Sequence, residues 1–69
     1  MREVQLHNRI RVFRADRRWS QTDLARRIGV SRKTISTIEV GRFVPSTIIA
    51  MLIAREFDTT VEELFSIEE

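Results

Sequence analysis

Leu6, Ile10 and Phe13 recur at helical spacing, with Arg9, Arg11, Arg14, Arg17 and Arg18 filling the gaps, a pattern that predicts an amphipathic helix over residues 5–17. Trp19 and Ser20 break it. Ser20 is suited to cap a second helix, with Asp23 at the reciprocal position of a capping box and Trp19 placed to close on Leu24 as a hydrophobic staple. That helix carries Leu24, Ala25 and Ile28 on one face and stops at Gly29, which can turn left-handed at little steric cost. Val30 and Ser31 repeat the staple and the cap, with Ile35 as staple partner, so a third helix runs from about Arg32 to Val40 and Gly41 ends it. Residues 42–45 read as a loop. Ser46 caps a fourth helix reaching Phe57, Asp58 can accept a left-handed turn, and Thr60 with Glu63 forms a capping box for a last short helix ending near Phe65. No strand pattern, internal repeat or linker intervenes. The expected architecture is all-α, one compact five-helix domain over residues 1–69. Its expected core is Leu6, Ile10, Phe13, Leu24, Ala25, Ile28, Ile35, Ile38, Ala50, Ile53, Phe57 and Leu64.

A chain of 69 residues has room for one modest core, and with no cysteine neither a disulfide nor a thiolate zinc site can reinforce it. Helix packing must carry the stability. The longest apolar run, Ile48–Ala54, is seven residues long, against the roughly 20 that a membrane-spanning helix needs. The start Met1-Arg2-Glu3-Val4 has no apolar signal region behind a basic head, so a cytoplasmic location without membrane association is expected. The net charge of +2 conceals an asymmetry. Residues 1–42 hold eleven Lys or Arg against four acids, a balance of +7, whereas residues 43–69 hold one Arg against six acids, a balance of −5. One end therefore attracts a polyanion and the other repels it. On charge alone, a solvated basic face explains this as well as a nucleic-acid-binding one does.

The third helix breaks that tie. Two short helices joined by a glycine-containing turn, over residues 21–38, set the second across the first with one side outward. With Arg32 at 0° and about 100° per residue, Ile35 and Ile38 fall near 300° and 240°, while Arg32, Lys33, Ser36 and Thr37 lie between about 0° and 140°. The outward face is polar and rich in donors. Arg and Lys suit guanine acceptors, hydroxyls suit several base edges, and a Thr methyl suits thymine.

Gln21-x2-Leu24-Ala25-x2-Ile28-Gly29-Val30-Ser31-x3-Ile35-x2-Ile38-Glu39-x-Gly41 resembles the Xre and Cro-like phage-repressor helix-turn-helix family, over roughly residues 8–65. The resemblance implies a lambda-repressor-like DNA-binding domain and, as partner, double-stranded DNA. It implies that Gln21 holds a phosphate, that Arg32, Lys33, Ser36 and Thr37 approach base edges, and that Arg42 clamps the backbone. It further implies that Arg14 and Glu39 form an ion pair joining the first and third helices. One position departs from the pattern: Val40 stands where the family often has an Asn able to hydrogen-bond a phosphate. A valine supplies no such donor.

Other residues carry plainer readings. His7 is the only histidine and is expected to be a solvated side chain, and Glu62, Glu63, Glu68 and Glu69 are terminal and solvated rather than a catalytic or magnesium-binding cluster. No catalytic residue, metal site or cofactor is expected, and so small a domain leaves little volume for a small-molecule effector. The function that follows is a transcriptional regulator, a repressor acting by occupying an operator. Two competing readings are an antitoxin-type regulator that also grips a partner protein, and a protein–protein adaptor using this fold without reading DNA.

The fourth helix is too apolar for one buried face. With Ser46 at 0°, Ala50, Ile53, Ala54 and Phe57 gather between about 340° and 80°, while Ile48, Met51 and Leu52 lie between about 140° and 240°. The last helix and tail could fold over this second face within one chain. The other solution is a homodimer through residues 46–66 and the tail, with Ile48, Met51, Leu52, Phe65 and Ile67 at its interface. The operator would then be an inverted repeat.

Overall fold

The computed structural model describes residues 2–68. Its elements run in the order β1 (Gln5–Asn8), α1 (Ile10–Arg17), α2 (Gln21–Ile28), α3 (Arg32–Glu39), α4 (Thr47–Glu56), α5 (Val61–Leu64) and β2 (Phe65–Glu68). The caps set the helix boundaries. The hydroxyl oxygens of Ser20, Ser31, Ser46 and Thr60 accept the backbone N–H groups of Asp23, Thr34, Ile49 and Glu63 respectively. Ser20 and Asp23 complete the reciprocal box, the Asp23 carboxylate accepting the Ser20 N–H at 2.8 Å. Thr60 forms only half of one, because the Glu63 carboxylate accepts the Thr59 hydroxyl instead. Gly29, at φ +77°, ends α2 in the left-handed conformation and lets Ser31 begin α3 two residues later.

The all-α expectation needs correction at both ends of the described chain. β1 and β2 form an antiparallel pair, with Gln5 opposite Glu68, Leu6 opposite Ile67, His7 opposite Ser66 and Asn8 opposite Phe65. The expected helix from residue 5 therefore starts only at Ile10. The four-residue step from Leu6 to Ile10 fits a helical turn, but Val4-Gln5-Leu6-His7 also alternates apolar and polar in the strand period. Tertiary pairing decided between them, since Phe65–Glu68 offers backbone partners to the N-terminal segment from the far end of the sequence. His7 is half exposed and lies 3.2 Å from the Glu68 carboxylate across this ladder. Glu69 lies outside the described residues.

The core comprises Ile10, Leu24, Ala25, Ile35, Ile38, Ile53, Ala54, Phe57, Leu64 and Phe65, with Leu6, Phe13, Trp19, Ile28, Val30, Ile49, Ala50 and Val61 packed around it. Truncating one of its fully buried leucines or isoleucines to alanine costs about 2–5 kcal/mol. Phe57 anchors an aromatic corner, its ring 5.4 Å from those of Phe13 and Trp19. The Arg27 guanidinium covers Trp19, 3.9 Å from the ring centroid. No helix among the described residues is long and apolar enough to cross a membrane.

Phe65 was expected at a dimer interface, and this too is corrected. Phe65 is 7% exposed and belongs to the chain's own core, because β2 begins directly after α5 and turns this side chain inward. Leu52 is half-buried. Ile48 and Met51 remain 71% and 59% exposed, and Ile67 is exposed on β2, so the tail does not cover the second face of α4.

Candidate nucleic-acid interface

The helix-turn-helix unit consists of α2, the turn through Gly29 to Ser31, and α3. Ile35 and Ile38 bury one side of α3 against the core. Arg32 and Lys33, in its first turn, are exposed, and Ser36 and Thr37 are half-buried beside them. Two cationic side chains thus stand at the exposed N-terminal end of the helix, where orphan backbone N–H groups also favour an anion. The Thr37 hydroxyl donates back to its own helix, with the Lys33 and Thr34 carbonyls 2.9 and 3.1 Å away. Its methyl group and the lone pairs of its hydroxyl oxygen are what Thr37 offers a partner.

The end of α3 is built as tightly as its start. Gly41, at φ +82°, donates to the Ile38 carbonyl and Arg42 donates to the Thr37 carbonyl, the two bonds of a Schellman motif. This turn brings the exposed Arg42 side chain out just beyond the helix. From α1, Arg14 donates Nε to Glu39 Oε2 at 2.7 Å and Nη2 to Oε1 at 3.0 Å, and its Nη1 donates to the Trp19 carbonyl at 2.8 Å. Hydrogen bonding to Glu39 raises the Arg14 pKa above its ordinary value, against the opposing effect of burial. Gln21, at the start of α2, leans on the same carboxylate with its Nε2 3.4 Å from Oε1.

The structure therefore sorts the expected residues into three places. Arg32, Lys33, Ser36 and Thr37 lie along the outward part of α3, Arg14, Glu39 and Gln21 meet where α1, α2 and α3 converge, and Arg42 stands at the far end. Not every arginine of the basic half is available to a partner. Arg17 donates to the Phe57 carbonyl and covers the Phe57 ring, and Arg27 is held between Trp19 and the Glu56 carboxylate. Asn8 was not singled out from the sequence, yet its Nδ2 donates to the Ile38 carbonyl at 3.0 Å and lies 3.4 Å from that of Glu39. Its Oδ1 accepts the Ile10 N–H at 3.2 Å. An Asn two residues before a helical run is a signal for such a turn, but the helical spacing of Leu6 and Ile10 masks it.

A groove of about 460 Å³ opens between β1 and residues 38–45, lined in part by Val4, Leu6, Val40, Phe43 and Val44. So much open volume was not expected of this small domain, and it exists because the strand stands beside the loop instead of continuing α1. Among the described residues no group of three or more His, Cys, Asp or Glu is placed to hold a metal ion.

Comparison with known proteins agrees with this geometry. The profile of a family described as helix-turn-helix matches residues 10–64. The chain is 39% identical over 64 residues to an uncharacterised HTH-type transcriptional regulator of Methanocaldococcus jannaschii, covering 93% of this chain and 97% of that one. It is 36% identical over 64 residues to the uncharacterised HTH-type transcriptional regulator YgzD of Bacillus subtilis, with the same coverage of 93% and 97%. Among solved structures, a Bacteroides fragilis protein whose name proposes DNA binding superposes with a TM-score of 0.79 at 26% identity, over 90% of this chain and all of that one. The clp gene regulator ClgR of Corynebacterium glutamicum gives 0.72 at 28% identity, over 78% of this chain and 57% of that one.

Proposed function

The chain belongs to the Xre and Cro-like helix-turn-helix family of transcriptional regulators, and from that premise we propose that it is a repressor binding double-stranded DNA sequence-specifically as a homodimer. The observation that carries this reading is the outward side of α3, where Arg32, Lys33, Ser36 and Thr37 stand over a helix whose other side is locked in the core by Ile35 and Ile38. A rigid helix with a cationic, hydroxyl-bearing face fits the major groove, and its N-terminal residues reach base edges first. Gln21 and Arg42 flank that helix and hold the phosphate backbone on either side of it. The Gln21 N–H, in the first turn of α2, has no carbonyl partner within the helix and adds to that anion site. Repression follows from occupying the operator and needs no cofactor.

The homodimer rests on Ile48 and Met51, which the chain leaves exposed on α4, with Leu52 at the edge of the patch. Two-fold association through them would set two α3 helices about 34 Å apart on one side of the duplex. Selection from a random DNA library, followed by titration of the recovered sequence at several salt concentrations, tests the whole reading. An inverted repeat should be recovered, and its affinity should fall steeply with salt as counterions are released. Equal affinity for the selected and random sequences would overturn it.

A further inference from the structure

We propose that Asn8 is a positioning residue for α3, fixing the angle at which the reading helix leaves the domain. The last carbonyls of an α-helix have no intrahelical donor, and the Schellman turn at Gly41 supplies Ile38 and Thr37 only. The Asn8 amide provides a second donor to the Ile38 carbonyl, at 3.0 Å, and approaches the otherwise unsupplied carbonyl of Glu39 at 3.4 Å. Its oxygen meanwhile accepts the Ile10 N–H at the start of α1, where Arg9 provides no side-chain cap. One short side chain thus ties the first turn of α1 to the last turn of α3.

The tie has a firm base. Asn8 is paired with Phe65 in the two-stranded sheet, Phe65 is buried, and the neighbouring Arg9 N–H donates to the Leu64 carbonyl at 2.9 Å. The Arg14–Glu39 pair reaches the same turn of α3 from the other end of α1. Two contacts from separate turns of α1 and its approach resist rotation of α3, which a single contact would leave free. A tilt of α3 displaces its base-facing side chains together, so loss of the Asn8 tie weakens discrimination between sequences more than it weakens attraction to phosphate.

The inference rests on α3 being the reading helix, and Asn8→Asp separates the two functions of the side chain. Aspartate keeps an oxygen for the Ile10 N–H but sets its other oxygen against two carbonyls, so the start of α1 stays capped while the tie to α3 is lost. Ile49→Ala serves as a control that removes core packing from α4 without touching β1 or the tie. In Asn8→Asp, amide hydrogen exchange at Gly41 and Arg42 should quicken by about tenfold or more relative to Leu24, and the ratio of affinities for selected over random DNA should drop about fivefold or more. Ile49→Ala should quicken exchange in both regions together and leave the ratio near wild type. In the wild type, the two Asn8 side-chain amide protons should exchange more slowly than those of a free amide. Unprotected side-chain protons, or an Asn8→Asp variant with wild-type exchange at Gly41 and Arg42, would overturn the tie, and the wild-type measurement decides even if that variant fails to fold. If the exchange results hold but the wild-type protein itself shows no preference between DNA sequences, the reading role of α3 fails, and with it the positioning role, while the tie stands.

Discussion

The Arg14 guanidinium meets the Glu39 carboxylate in a two-pronged hydrogen bond that joins α1 to the last turn of α3, with both side chains largely out of solvent at 14% and 7% exposure. Such a pair is stabilising only as a pair, because removing one partner leaves a desolvated charge behind. Arg14→Met or Glu39→Met alone should each cost about 3 kcal/mol in denaturant unfolding. The double variant Arg14→Met/Glu39→Met should recover at least about 1 kcal/mol of the summed loss. Strict additivity would show that the two groups act independently.

Arg32 and Arg42 sit at opposite ends of α3 and should fail in different ways. Arg32→Ala is expected to relax base preference at one position of each half-site at a cost of about 1–3 kcal/mol. Arg42→Ala should weaken selected and random DNA alike and make the salt slope shallower by about one. Competition titrations against single-base operator variants distinguish these outcomes, and equal losses on every sequence for both variants would remove the division between reading and clamping.

Local chemistry made the helical part legible. Ser20, Ser31, Ser46 and Thr60 act as caps, and Gly29 and Gly41 take the left-handed turns, because each of these choices is decided within four residues of chain. The strand pair was not legible, since four residues can carry a helical and a strand period together and the partner lies at the other end of the sequence. Asn8 was lost with it, because its contacts to the Ile38 and Glu39 carbonyls exist only once β1 is a strand. Phe65 shows the same limit, being apolar in the sequence and buried only through that pairing.

The capping box at α2 predicts an acid sensitivity. Hydrogen bonds from the Ser20 backbone and side chain hold the Asp23 carboxyl below its ordinary value of 3.8, with smaller help from Arg26 and Arg27. A carboxylate whose pKa is lower in the folded state contributes stability that is complete above its unfolded value and is lost as pH falls through the folded one. Melting temperatures measured from pH 6 down to about pH 2.5 should therefore fall more steeply for the wild type than for Asp23→Asn, whose amide oxygen can still accept the Ser20 N–H at every pH. Parallel curves would remove Asp23 as a contributor.

The homodimer is the prediction with the sharpest energetic limits. Ile48 and Met51 each contribute about 1.5–3 kcal/mol when buried, so two protomers supply about 6–12 kcal/mol, against association costs of about 4–15 kcal/mol. The free dimer should be weak. Residues 43–69 carry a balance of −5, so the two interfaces repel each other and salt should strengthen the dimer by screening. DNA binding by the basic half should weaken with salt, and the two equilibria should move in opposite directions. Light scattering from about 10 μM to 1 mM at low and high salt should follow the self-association, and an operator titration should give two chains per inverted repeat. Met51→Glu should abolish the dimer and reduce operator affinity while sparing the fold, since Met51 is 59% exposed. A Met51→Glu protein that still binds two per site with wild-type affinity would place the interface elsewhere, and a wild type that stays monomeric on and off DNA would exclude the dimer.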